Sequence, residues 1–286
     1  MRKVKKNSWS DSSLSLGAKI LITAVMLLMT ASFLYPLYYM VINSFKDTTE
    51  YYVSQFALPA SMSFANYRTL LVDFQILRYF GNSMLISGVS TALVIVFSIF
   101  SSYAFAKIRF RGREIVYVII LATMFLPGQA VLIPQYVMFS KYHLINNYWS
   151  VILGYLAGGI PGSILLLRSA FMGIPNDLLE SAKIDGAGYF STVCNVAIPV
   201  TMAAISIQTI FSFISYWNDL LTPMLMLSNP SRQTVMVALS SLMSRYGGAP
   251  SCQLTGLLLS VLPVLVLYLF LQRYMMKGML VGAVKA

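Results

Sequence analysis

The chain has 286 residues, 58% of them hydrophobic and only 10% charged, with a mean hydropathy of +0.73. Soluble domains carry about 25% charged residues, so this composition excludes a water-soluble globular protein. The formal net charge of +11 would suit a nucleic-acid partner, but the basic residues flank apolar segments; they read as a topology signal, with no nucleic acid involved.

A helix crosses the hydrocarbon core with roughly 20 apolar residues. Six stretches meet that requirement: residues 16–42, 83–106, 115–138, 148–167, 193–217 and 254–270. Their cores hold no Asp, Glu, Lys, Arg or His, apart from Lys19 at the entry of the first. The expected fold class is an all-α integral membrane protein with six transmembrane helices in one domain, residues 16–274, between tails at 1–15 and 275–286.

The first segment follows Arg2, Lys3, Lys5 and Lys6, as a signal peptide would. Its apolar core is too long for one, no small-residue cleavage pattern follows, and Tyr35, Pro36, Tyr38 and Tyr39 suit an interfacial aromatic belt. It reads as a retained helix. A long polar stretch, 44–81, comes next, and the second segment ends in a tight basic turn, 107–113. Pro127 and Pro134 are expected to kink or break the third segment, freeing backbone groups that protein or water must satisfy. The sole histidine, His143, lies in a short loop, where a solvated surface role suits it better than catalysis. The segment 168–192 reads as structured, and 218–253 is the second long polar stretch. Cys194 and Cys252 are too few and too scattered for a disulfide framework or a metal site.

With a cytoplasmic N-terminus, 14 of the 20 Lys and Arg residues fall on the cytoplasmic side, leaving Lys46, Arg68, Arg78, Lys141, Arg232 and Arg245 outside. This bias puts both termini in the cytoplasm and the stretches 44–81 and 218–253 outside. An ion-coupled carrier usually keeps an ionisable side chain within its bundle, and this sequence offers none there. It has no HExxH, no GxSxG and no GxxxxGK[ST], so hydrolase chemistry and nucleotide binding lack their parts. Energy for uphill transport has to arrive through a protein contact.

Residues 174–200 offer such a contact. Pro175 suits a helix start, Asn176 and Asp177 suit its first turn, and Gly186 and Gly188 suit its end, so a short helix is expected over 176–184. Leu178, Leu179 and Ala182 occupy neighbouring positions on it. An interfacial helix lying on lipid headgroups is the competing reading.

Glu180-Ser181-Ala182, Asp185-Gly186-Ala187 and Ile198-Pro199 resemble the EAA loop of permease subunits in bacterial ABC importers, with Ser181 where alanine is usual and Ala197 at a less fixed position. Other stretches resemble the carbohydrate-uptake, maltose-type branch, and its smaller six-helix permease in particular. They are Ala104-Phe105-Ala106, Pro127-Gly128-Gln129, Ile133-Pro134, Tyr216-Trp217-Asn218-Asp219 and the end from Gln272-Arg273-Tyr274 to Lys285. The resemblance implies a type I ABC importer permease-like bundle in the bacterial cytoplasmic membrane. It implies a second homologous permease, two copies of an ATPase that binds ATP and Mg, and an extracellular solute-binding protein. This chain would be a transport subunit, neither an enzyme nor a cofactor binder. Glu180, Ser181, Ala182, Asp185, Gly186 and Ala187 would form the contact with the ATPase, and the C-terminal tail would reach the same interface.

A sugar pathway needs amides for hydroxyls and aromatic faces for sugar rings, which makes Asn82, Gln129, Gln208, Tyr216, Trp217 and Asn218 the candidates. Gln208 equally suits a bond between helices, and Trp217 an interfacial anchor. A secondary carrier and a non-transporting membrane scaffold remain the alternatives to an importer permease.

Overall fold

A computed structural model gives the structure of residues 15–242 and 249–283, with the side chains of the last helix described as far as residue 274. The N-terminal residues 1–14 and the extreme C-terminal residues 284–286 lie outside the described residues. In chain order the α-helices are α1 (Leu16–Ser44), α2 (Thr48–Ser54), α3 (Ala65–Arg68), α4 (Ile76–Lys107), α5 (Arg113–Ala122), α6 (Gly128–Lys141) and α7 (Tyr148–Met172). They continue with α8 (Asn176–Ile184), α9 (Tyr189–Thr192), α10 (Ile198–Asn218), α11 (Leu221–Met226), α12 (Val235–Ser240) and α13 (Pro250–Ala283). Among the described residues there is no strand.

Five helical stretches are long and apolar enough to cross a membrane: α1, α4, α7, α9 with α10, and α13. The pair α5 and α6 makes a sixth only if it counts as one bent span. The third segment, expected over 115–138 with a kink or break at its prolines, is broken into two arms bent by 99°. Pro127 is the cause. Its ring pushes the preceding Leu126 out of the helical region, to φ −75 and ψ 122, and residues Thr123–Phe125 tighten into a 3₁₀ turn ahead of it. Pro134, by contrast, sits inside α6. The fifth span starts earlier than expected, at Tyr189, through a π-helical turn at Val193–Ala197. Pro199 lacks the N–H that would bond Asn195, and its ring crowds that carbonyl, which accounts for the wider turn.

The centre of the bundle is the α4–α7 pair, with α10 packed on both. On α4 the buried residues include Ser87, Ser90, Thr91 and Ser98, and on α7 Gly159 comes close to α4, with Val94 Cγ2 3.1 Å from where a Cβ would stand. Lipid is as apolar as leucine, so helices associate in it by close packing of small residues. Helix α1 lies against α13 on the outside, and none of its apolar window is buried within the chain. Its Leu27, Leu28 and Phe33 stay exposed, as lipid-facing side chains do.

The two ends of the bundle differ. One carries the turn 107–113, α8 and α9. The other carries the long polar stretches, the second of which is tied to α4 by Asn82, whose amide donates to the carbonyls of Ser231 (3.1 Å) and Gln233 (2.9 Å). At that end Lys46 is fully buried, and its ammonium donates to the carbonyls of Ser54 (2.7 Å) and Ala57 (2.6 Å), clasping the loop after α2. Hydrogen bonds to a charged group contribute about 1.5 to 3 kcal/mol. Lys46→Met should therefore loosen residues 47–60 while the spans stay intact, raising amide hydrogen exchange there by about tenfold or more. Unchanged exchange would show that the loop is held by other contacts.

The last helix continues to Ala283. Helical backbone thus runs through residues 275–283 of the stretch read as a tail. Two isolated glycines, Gly278 and Gly282, cost about 1 kcal/mol each against alanine, too little to stop a helix already running.

Candidate functional site

Helix α8 is the nine-residue helix expected after Pro175, and its boundaries follow from local chemistry. Asp177 adds negative charge to the first turn, and Lys183 adds positive charge to the last. Its end is a Schellman turn. The Gly186 N–H bonds Lys183 O at 3.0 Å, the Ala187 N–H bonds Ala182 O at 2.9 Å, and Gly186 takes φ +79. Leu179 and Ala182 are buried, with Leu179 packed among Ile95, Leu167, Phe171 and Val193. Leu178, Glu180, Ser181, Ile184, Asp185 and Gly186 are exposed. Of the sequence candidates, Ala182 thus faces the bundle, Ala187 is half-buried, and the other four face outward. Leu178 departs from the shared position expected with Leu179 and Ala182, because it points away from the bundle. After the turn, Tyr189 donates to Phe100 O at 2.9 Å, pinning α9 to α4.

A second feature lies between the bent pair and the α7–α10 face. It is a cavity of about 770 Å³ lined by Gln129, Gln135, Tyr155, Ser215, Asp219 and Thr222 among apolar residues such as Leu126 and Leu132. A smaller space of about 330 Å³, lined by Gln208 and Tyr216, shares Gly154, Tyr155, Gly158 and Ser215 with it. At their junction the Tyr155 and Tyr216 rings stack at 4.4 Å and 10°. The Tyr216 hydroxyl donates to Tyr155 O (3.2 Å), and the Tyr155 hydroxyl donates to Asp219 Oδ2 (3.0 Å). Asp219 Oδ1 accepts from the Leu221 N–H at 3.0 Å, which starts α11 and holds the carboxylate at the cavity wall.

The structure therefore brings together Gln129, Gln208 and Tyr216. Gln208 also donates to Ser163 Oγ (2.7 Å) and Ser212 Oγ (3.1 Å), so it bridges α7 and α10 while lining the smaller space. The other three candidates lie elsewhere. Asn82 accepts from the Tyr148 hydroxyl (2.8 Å) besides its two carbonyl bonds, and it ties the polar end. Trp217 is buried, stacks with Phe213 and donates to Ser260 O (3.1 Å), joining α10 to α13. Asn218 is exposed at the last residue of α10. Tyr155, Gln135 and Asp219 escaped the sequence reading. A usable signal was present for Asp219, a carboxylate directly after an apolar segment ending in Tyr216-Trp217-Asn218.

The family model described as binding-protein-dependent transport system inner membrane component matches residues 94–281. The chain belongs to that family. It is 30% identical over 271 residues to the arabinooligosaccharides transport system permease protein of Bacillus subtilis, covering 93% of this chain and 96% of that one. It is 28% identical over 267 residues to a probable starch degradation products transport system permease protein of Thermoanaerobacterium thermosulfurigenes, covering 93% and 97%. Among solved structures, the chain resembles a bacterial ABC transporter involved in the import of the acidic polysaccharide alginate, with TM-score 0.76 and 24% identity over 91% of this chain and 98% of that one. The same fold recurs in an alginate transporter complexed with its pentasaccharide-bound periplasmic protein, with TM-score 0.65 and 16% identity over 88% of this chain and 93% of that one. The inner membrane component is thus a multi-pass, all-α membrane protein of the carbohydrate-uptake branch of ABC permeases.

Proposed function

We propose that this chain is the permease subunit of an ATP-driven importer that moves a sugar or oligosaccharide across the bacterial cytoplasmic membrane. The observation that carries the reading is α8, a short helix fixed to the bundle by Leu179 and Ala182 and left bare on the face bearing Glu180, Ser181 and Asp185. Such a knuckle suits the groove of a separate ATPase, present in two copies, that binds the ATP and Mg. Both termini lie in the cytoplasm with α8, and a solute-binding protein meets the opposite end. A second, homologous permease supplies the other wall of the cavity. Amides, tyrosines and a carboxylate set among apolar residues suit a sugar, whose hydroxyls need partners and whose C–H faces do not. A volume of about 770 Å³ falls within the range of roughly 300–1,000 Å³ usual for small-molecule sites.

Purification in mild detergent tests the reading. A second permease and an ATPase should accompany the chain, and the solute-binding protein loaded with oligosaccharide should stimulate ATP hydrolysis. A chain that purifies alone from cells containing all the subunits would overturn it. Orientation is tested by labelling after replacing exposed Cys194 and buried Cys252. A cysteine at exposed Ser61 should react with an impermeant reagent in intact cells, and one at exposed Ser181 should not. Outside labelling of Ser181→Cys would invert the topology.

A further inference from the structure

Two cations lock the end of the bundle that carries α8. Lys107, the last residue of α4, donates from Nζ to Ile174 O (2.7 Å), Met172 O (3.4 Å) and Asn176 Oδ1 (3.1 Å). It therefore satisfies carbonyls left free at the end of α7 and grips the first residue of α8. Arg168, near the end of α7, shares Nη2 between the two Glu114 carboxylate oxygens at 2.9 and 3.0 Å, and its Nε donates to Phe105 O at 3.3 Å. Its guanidinium carbon also lies 4.0 Å from the centre of the Tyr117 ring. Glu114 and Tyr117 belong to α5, the inner arm of the broken helix. Beyond Arg168, α5 is held by a small apolar cluster of Phe105, Tyr117 and Ile164.

We infer that Arg168 is the positioning residue that carries displacement of α8 into the broken helix, with Lys107 fixing α8 to α4. The inference rests on the reading of α8 as the ATPase contact. Only Gly173, Ile174 and Pro175 separate α7 from α8, so a push on α8 moves the end of α7 that bears Arg168. The guanidinium passes that movement to α5 through its carboxylate and ring contacts. Beyond α5 the chain turns at Leu126–Pro127 into α6, whose Gln129 and Gln135 line the cavity. The joint at Pro127 thus lies between the site that receives the push and the wall that changes. A planar guanidinium suits this task better than an ammonium, because it holds the carboxylate and the Tyr117 face at once and so resists rotation.

The test uses the assembled transporter in lipid nanodiscs, with the solute-binding protein and an oligosaccharide it binds. Spin labels are placed at Ile133→Cys, an exposed position on α6, and at Leu262→Cys, an exposed reference position on α13, in a background lacking Cys194 and Cys252. Four variants are compared: Arg168→Glu, Glu114→Arg, their double exchange, and Arg168→Lys. In Arg168→Glu, ATP hydrolysis and co-purified ATPase should stay within about twofold of the parent, while uptake falls by about tenfold or more and the ATP-dependent distance change vanishes. The double exchange should raise uptake by about threefold or more over Arg168→Glu, short of the parent because a carboxylate at position 168 does not reproduce the contact with the Tyr117 face. Arg168→Lys keeps the charge but loses the flat two-sided grip, and should lower uptake by about threefold or more. Parental uptake in Arg168→Glu or Arg168→Lys, or no rescue by the exchange in an intact complex, would overturn the inference alone. Failure of the parent to bind an ATPase would overturn the reading of α8 as well.

Discussion

Glu180→Ala should insert in the membrane at the parental level and lose ATP-driven uptake by about 30-fold or more. Within the chain the carboxylate makes no ion pair among the described residues, although Lys183 stands one turn away. An exposed pair of that spacing would contribute only about 0.2 to 0.5 kcal/mol, so the substitution has little folding cost. At a desolvated interface with a basic group, by contrast, truncating one partner costs about 2 to 5 kcal/mol. Gly186 provides an independent check. No atom lies within 4 Å of a Cβ added there, so leucine meets no clash inside the chain, yet the φ of +79 makes any L side chain strained. That strain amounts to about 1 to 2 kcal/mol, which the rest of the fold can absorb. Gly186→Leu should also lose uptake, and Gly186→Asn separates the causes, since asparagine tolerates the left-handed region. Parental uptake in both Glu180→Ala and Gly186→Leu would sink the coupling assignment, and absence of the proteins from the membrane would mean a folding role.

The membrane class and the short helix were legible because each rests on local chemistry. Apolar length decides the spans, and Pro175 and Gly186 punctuate α8 wherever the surrounding chain goes. Pro127 was legible as a break, but the 99° angle was not. The angle depends on how α5 and α6 each pack on α7, and a local sequence pattern does not carry that. The cavity wall was legible only in part for the same reason. Tyr155 and Asp219 stand 64 residues apart, and their contact exists only once α7 and α10 pack side by side. Trp217 shows the converse. An aromatic residue near a span's end resembles an interfacial anchor in sequence, yet the indole N–H finds the Ser260 carbonyl and the ring fills the core. Lys107 and Arg168 counted in the sequence as topology charges, and topology alone does not explain their bonds to α8 and α5.

Gly159→Ala should destabilise the chain and disorganise the cavity, and Tyr216→Phe should rescue it. The glycine lies where α7 meets both α4 and α10, and an added Cβ would collide with the Tyr216 hydroxyl and come within 3.1 Å of Val94 Cγ2. The hydroxyl has little freedom to retreat, because its ring is stacked on Tyr155 and its proton goes to the Tyr155 carbonyl. Overpacking of this kind costs about 1 to 3 kcal/mol, and the displaced tyrosine would drag Tyr155 away from Asp219 at the larger cavity. Tyr216→Phe alone forfeits one hydrogen bond, about 0.5 to 1.5 kcal/mol. In the double variant the phenyl carbon nearest the new methyl stands at 3.3 Å, so most of the clash is gone. The two substitutions should therefore be strongly non-additive, with the double variant at least about 1 kcal/mol more stable than the sum of the single effects. Thermal unfolding of the purified assembly measures the coupling, and uptake by the same variants shows whether the Tyr155–Asp219 wall returns with it. Additive effects would mean that Tyr216 does not occupy the space above Gly159, and the described junction of the two cavities would be wrong.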